Sequence, residues 1–220
     1  MTDLKDKIRD IRIRLRLSMN GVVSASMREK GADYKLNFGV SLPKIKEIAG
    51  LYEKNVELAE TIWHEDVREL KILATLLFPP SAFTVEDANR WIGQVRHQEI
   101  AEQLCRNLLQ ELPFAEALAG QWVCREEEYV RVAGFLLFAR LCVKGAPVAA
   151  SAILKQARQA LDNGISRPQR AAIVALKRYG CQGRRQADEV LTLIADYPLS
   201  ESPERQEFFN DIKFEFDYYL

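Results

Sequence analysis

The sequence predicts an all-α fold made of stacked antiparallel helix pairs. Three observations carry that expectation. Apolar residues recur at helical spacing along nearly the whole chain, and no stretch alternates with period two for long enough to build a sheet. The breaks fall at helix-stopping residues: Pro79-Pro80, Pro113, Gly145 with Pro147, Asn163-Gly164, Gly180, and Pro198 with Pro203. The first helix carries Leu4, Ile8, Ile11 and Leu15 as one apolar stripe. Further helices are expected over 42–53, 56–63, 66–78, 84–94, 98–110, 114–122, 126–143, 147–162, 167–180, 185–196 and 203–219.

Several of these helices resemble one another. "DVRELKILATLL", "EYVRVAGFLLFARL" and "PQRAAIVALKRYG" each open an apolar helix with an arginine: Arg68, Arg131 and Arg170. With "QEIAEQLCRNLL" counted between the first two, the repeat is about 30–40 residues, the range of HEAT-type helix pairs. Such pairs bury their faces only by stacking, so the expectation is an α-solenoid with a concave face; an irregular helical bundle is the alternative. Residues 1–220 then form one repeat domain: a helical arm over 1–36, a stack over 37–197 and a capping helix over 198–220. The junction "NFGVSLPKIKEIAGLY" joins arm to stack. Ser41 is placed to cap the helix, Pro43 is tolerated in its first turn, Gly39 allows a bend, and Phe38 and Val40 are expected to pack beneath.

Apolar residues make up 48% of the 220 and charged residues 28%, an ordinary balance for a globular protein. No apolar run is long enough to span a membrane, and "MTDLKDKIRDIRIRLRL" lacks the apolar core of a secretory signal. Cys105, Cys124, Cys142 and Cys181 show no C-x-x-C spacing and are expected to be reduced core residues of a cytoplasmic protein. The net charge is zero but unevenly distributed: 11 basic and 6 acidic residues over 1–50, 7 and 15 over 51–130, 11 and 4 over 131–197, and 2 and 6 from 198. Two basic blocks flanking an acidic one can guide a polyanion although the total cancels.

The junction also carries a resemblance. "FGVSLPKIKEIA" followed by "IWHEDVRELKILATLLF" resembles the DNA alkylation repair (AlkD-like) family of HEAT-like repeat DNA glycosylases. The likeness continues through "QEIAEQLCRNLLQELPFAEALAGQWV", "EYVRVAGFLL" and "QRAAIVALKRYG". It implies a concave face that cradles duplex DNA. It also implies active members that remove cationic N3- or N7-alkylated purines without flipping the base into a pocket. Their chemistry needs a carboxylate and aromatic faces around a sugar that turns cationic. By this resemblance a Trp and, four residues on, an Asp are replaced here by Gln98 and Glu102. A second Trp position holds Val174, and the "WVRR"-like segment reads "YVRV", keeping Arg131 but placing Val132 after it and Tyr129 before it. Both cleft tryptophans are absent. Glu102 is a catalytic candidate only as a longer stand-in; on a helix surface it could equally pair with Arg106.

Other candidates are basic. Lys5, Arg9, Arg12 and Arg16 form a stripe along the first helix, about 16 Å long. Arg170, Lys177 and Arg178 share a face with Val174, and Arg184 and Arg185 open the following helix. Each group could meet phosphates, or be a solvated surface. Trp63, Trp91 and Trp122 are expected to be packing residues, and Phe209, Ile212, Phe216 and Tyr219 to cap the last repeat. The two histidines have no ligand-spaced companions and there is no Gly-rich phosphate loop, so no metal and no cofactor is expected. The function read from the sequence is a monomeric protein that binds duplex or structured DNA through backbone phosphates, with weak or absent glycosylase activity. An active glycosylase using Glu102 and a HEAT-type protein-interaction scaffold are the alternatives.

Overall fold

The computed structural model describes residues 4–146, 148–164 and 166–220. Pro147, one of the expected break residues, lies outside them, as do residues 1–3 at the start of the arm. Among the described residues there are thirteen α-helices and no strand. They form two compact units, Met1–Arg90 with Val95–Leu112, and Trp91–Gln94 with Pro113–Leu220.

The first unit holds α1 (Leu4–Leu17), α2 (Gly21–Glu29), α3 (Leu42–Ala49), α4 (Val56–Trp63), α5 (Arg68–Leu77), most of α6 (Val85–Gly93) and α7 (Gln98–Asn107). The residues between α2 and α3 run extended, with one bridge in which the Arg68 amide donates to the Leu36 carbonyl (3.2 Å). Phe38 and Val40 are buried there. Pro43 stands in the first turn of α3, and Ser41 precedes that helix without capping it through its side chain. Gly39 adopts φ +68°, and a Cβ on it would lie 2.3 Å from the Asn20 carbonyl oxygen, so both its conformation and its space require glycine. The junction is a strap pressed against the first turn of α2.

What holds the strap is a buried charge cluster. Glu69, fully buried, accepts from the amides of Phe38 (3.1 Å) and Val40 (3.2 Å). Arg68, 2% exposed, donates to the Val40 carbonyl (2.9 Å) and to Glu69 (3.0 Å), and forks onto Glu99 of α7 at 2.8 and 2.6 Å. Burial opposes the Arg68 charge, but the bonds to Glu99 outweigh it and its pKa is raised. Arg68 and Glu99 stand at the starts of their helices, while at the far ends Asn107 donates to Thr75 (2.9 Å). Hence α5 and α7 run parallel, as the second helices of successive pairs do in a repeat stack.

The second unit shows the same arrangement. It contains α8 (Ala115–Trp122), α9 (Glu128–Val143), α10 (Ser151–Asp162), α11 (Arg167–Gly180), α12 (Arg184–Leu193) and α13 (Pro203–Tyr219). Packing between α9 and α11 is the most extensive. Glu128 and Arg167, the first residues of these two helices, pair at 3.0 Å. Further along, Phe138 and Tyr179 have ring centroids 5.7 Å apart, and Gln182 donates to the Cys142 carbonyl (3.2 Å). So α9 and α11 are parallel and in register. The companion layer behaves alike: the Ala149 amide at the start of α10 meets Glu116 of α8 (2.6 Å), and Arg158 of α10 meets the Leu193 carbonyl ending α12 (2.8 Å). The last helix docks through Phe216, whose ring lies where a Cβ on Gly180 would stand, 2.1 Å away.

Several sequence expectations need correction. Helix α2 was missed, while 42–53, 98–110 and 185–196 end earlier as α-helix than expected, the last two continuing into 3-10 turns at Leu109–Glu111 and Tyr197–Leu199. Of the cysteines, none of which is in a disulfide, Cys105 and Cys142 are core residues, whereas Cys124 is exposed and Cys181 half-buried, because both lie just past the end of a helix. Tyr219 is exposed, leaving Ile212 and Phe216 as the buried contacts of the cap. Trp63, Trp91 and Trp122 are fully buried, as expected of packing residues.

Removing one partner of a buried ion cluster strands the others. Arg68→Ala is therefore expected to cost about 3–5 kcal/mol of unfolding free energy in urea melts. Arg125→Ala, which removes an exposed pair with Glu127, is expected to leave the urea midpoint nearly unchanged. A loss below about 1 kcal/mol for Arg68→Ala would mean that the cluster does not hold the strap.

Candidate nucleic-acid interface

In the second unit the helix register brings the basic candidates together. Arg131 and Arg170 each occupy the fourth position of their helices, on the parallel pair α9 and α11, one turn inside the Glu128–Arg167 contact. Arg167 also lies over the Tyr129 ring, 5.6 Å from its centroid. Arg131 is half-buried. Its guanidinium donates to Gln156 of α10 at 3.4 Å, and its Nε is buried with no hydrogen-bond partner among the described residues. A guanidinium left this short of acceptors is costly unless an anion completes it. Arg170, Val174 and Arg178 are exposed along α11 at spacing four, a row open to solvent with Val174 at its centre.

The remaining basic candidates of this unit are partly committed within the fold. Lys177 pairs with Glu215 of α13 (2.5 Å), Arg185 with Glu189 (3.1 Å), and Arg184 lies 3.9 Å from Asp217. Gly183 precedes α12, so Arg184 and Arg185 do open that helix. Val132 requires a correction: it is fully buried in helix packing, so this position forms no wall of a cleft. Sequence reasoning missed Gln156 and Arg167, which touch Arg131 and Tyr129 respectively from helices 25 and 38 positions away. Only the packing register reveals them.

In the first unit, Gln98 and Glu102 stand on α7. Glu102 is exposed and accepts from Gln98 Nε2 at 2.8 Å, in place of the Arg106 pairing the sequence allowed. The Gln98 amide thus binds this carboxylate. Along α1, Arg12 forks onto Glu65 at 2.6 Å to each oxygen, while Lys5, Arg9 and Arg16 are exposed and have no side-chain partner among the described residues. Among the described residues no group of three His, Cys, Asp or Glu side chains could hold a metal ion, and no helix is long and apolar enough to cross a membrane.

The repeated parallel helices and basic helix starts define a HEAT-like helical repeat protein. A family model described as DNA alkylation repair enzyme matches residues 13–201, and the chain belongs to that family. No curated protein matches it. A solved structure reported as "a new family of proteins related to the HEAT-like repeat DNA glycosylases with affinity for branched DNA structures" is similar in fold, with a TM-score of 0.76 and 18% identity, covering 89% of this chain and 83% of that one.

Catalysis on a sugar developing positive charge needs groups fixed around it beforehand. Gln98 and Val174 offer no aromatic face, and Glu102 is exposed on a helix surface. Release of N7-methylguanine from methylated duplex, followed in single turnover, is expected to stay near the spontaneous rate and to be unchanged in Glu102→Gln. Fast release abolished by Glu102→Gln, with DNA affinity retained, would establish an active enzyme.

Proposed function

We propose that this chain binds duplex or structured DNA through backbone phosphates, with Arg131 and Arg170 as its central contacts and little or no glycosylase activity. It acts as a cytoplasmic monomer. The single observation that carries the reading is the incompletely satisfied Arg131 guanidinium beside the α11 row. A phosphate oxygen at the terminal Nη groups of Arg131 adds to the long Gln156 bond, and Arg170 and Arg178 extend the contact to neighbouring phosphates. The branched-DNA affinity reported for the similar structure supports including junctions among the ligands. The Gln98–Glu102 pairing supports binding without base removal.

Arg131→Ala with Arg170→Ala is expected to weaken duplex affinity at least about tenfold in low salt, equally for unrelated sequences, because phosphates carry no sequence information. Fluorescence anisotropy with two labelled duplexes of different sequence measures this, with a thermal melt as the folding control. Unchanged affinity would remove these arginines from the interface.

A further inference from the structure

The first unit contains a groove of about 1090 Å³ between α1 and the segments around residues 35–38 and 64–70. Its basic lining comes from both walls: Lys5, Arg9, Arg12 and Arg16 on α1, and Lys35 opposite, against the carboxylates of Glu65 and Asp66. Ile8, Ile13 and Leu36 add apolar surface, and Ile13 and Leu36 are 48% and 44% exposed. The wall is fixed. Ile11 and Leu15 are fully buried on the adjoining face of α1, Tyr52 donates to Asp10 at 2.5 Å, and Arg12 is clamped by Glu65. The Tyr52 bond, with Arg14, holds the Asp10 carboxyl below its ordinary pKa, so this anchor is ionised at neutral pH. Arg12 therefore braces the groove, while Lys5, Arg9, Arg16 and Lys35 carry charges with no side-chain partner among the described residues.

We propose that this groove receives an unpaired DNA strand, its phosphates on Lys5, Arg9 and Arg16 and its bases against Ile8, Ile13 and Leu36. The inference rests on the DNA-binding reading above but concerns different residues. Charge complementarity selects a polyanion. The apolar surface between the cations selects one that also offers bare π-faces, which a duplex keeps stacked inside and a single strand exposes. The three free cations on α1 span about 16 Å, room for roughly three to five phosphates of one strand. Paired DNA would leave Ile13 and Leu36 facing its hydrated backbone.

The test uses the full chain and three labelled probes: a 12-mer of thymidine, the same length of abasic backbone, and a blunt duplex. Arg9→Ala with Arg16→Ala removes two exposed side chains that no fold contact uses. This variant is expected to lose the thymidine 12-mer at least about tenfold, with the salt slope falling by about 1.4, since each single-strand phosphate contributes about 0.7. Duplex affinity is expected to stay within about twofold of wild type, because its proposed contacts lie on α9 and α11. The wild type is expected to bind the abasic strand several-fold more weakly, and Ile13→Ser to remove that difference. If the duplex binds but the thymidine 12-mer does not, or if the variant leaves its affinity unchanged, the groove is not a strand site and the duplex reading survives. If no DNA binds, both fail. Equal binding of abasic and thymidine strands would overturn the assignment of bases to the apolar surface. Phosphatidylglycerol vesicles bound by the wild type and lost in the variant, with the thymidine 12-mer unaffected, would reassign the groove to a membrane surface.

Discussion

A guanidinium can be buried only where its donors find acceptors, and Arg68 meets that constraint through three contacts at once. Glu69, Glu99 and the Val40 carbonyl surround it, and Glu69 in turn fastens the extended strap through two backbone amides. The cluster thereby fixes the start of α5 against α3 and α7 and leaves Arg68 no capacity for an outside partner. Arg131 sits near the start of an equivalent apolar helix but has no carboxylate partner among the described residues; its guanidinium donates to the neutral amide oxygen of Gln156 at 3.4 Å. Arg170 is exposed on α11, one helix pair further on. The same sequence feature, an arginine opening an apolar helix, thus serves closure at one position and availability at two others.

Parallel register explains why availability falls where it does. Because Glu128 meets Arg167 at the first residues of α9 and α11, their fourth residues are carried to the same level of the second unit. Arg167 is held by Glu128 and lies over Tyr129, which leaves Arg131 and Arg170 as the cations facing outward contacts. The deeper face of the same pair is apolar. Val132 belongs to it, and Phe138 with Tyr179 continues it. Charge that would bind phosphate and surface that stabilises the stack lie on different faces of the same helices.

Much of this was legible in the sequence. Twelve of the thirteen helices among the described residues fall within segments of helical apolar period, and that signal located them. Helix α2, "GVVSASMRE", carries little apolar surface and buries only Ser24, so its order comes from the Asn20 cap and the strap, not from periodicity. The distinction between Arg68 and Arg131 was not legible either, because it depends on Glu99, 31 positions from Arg68, and on Gln156, 25 positions from Arg131. Family likeness led to the expectation that Gln98, Glu102 and Val174 stand at substituted positions. It did not foresee that Gln98 binds Glu102, or that Val132 is core.

The account turns on whether arginines left incompletely satisfied by the fold are completed by phosphates. The most direct measurement is the affinity of the wild-type chain for a blunt duplex across a series of salt concentrations. Phosphate contact by Arg131, Arg170 and Arg178 predicts that log K falls linearly with log[salt] at a slope of about −2.7, near −0.9 for each contact. Affinity that does not change with salt, or no measurable binding at low salt, would contradict it.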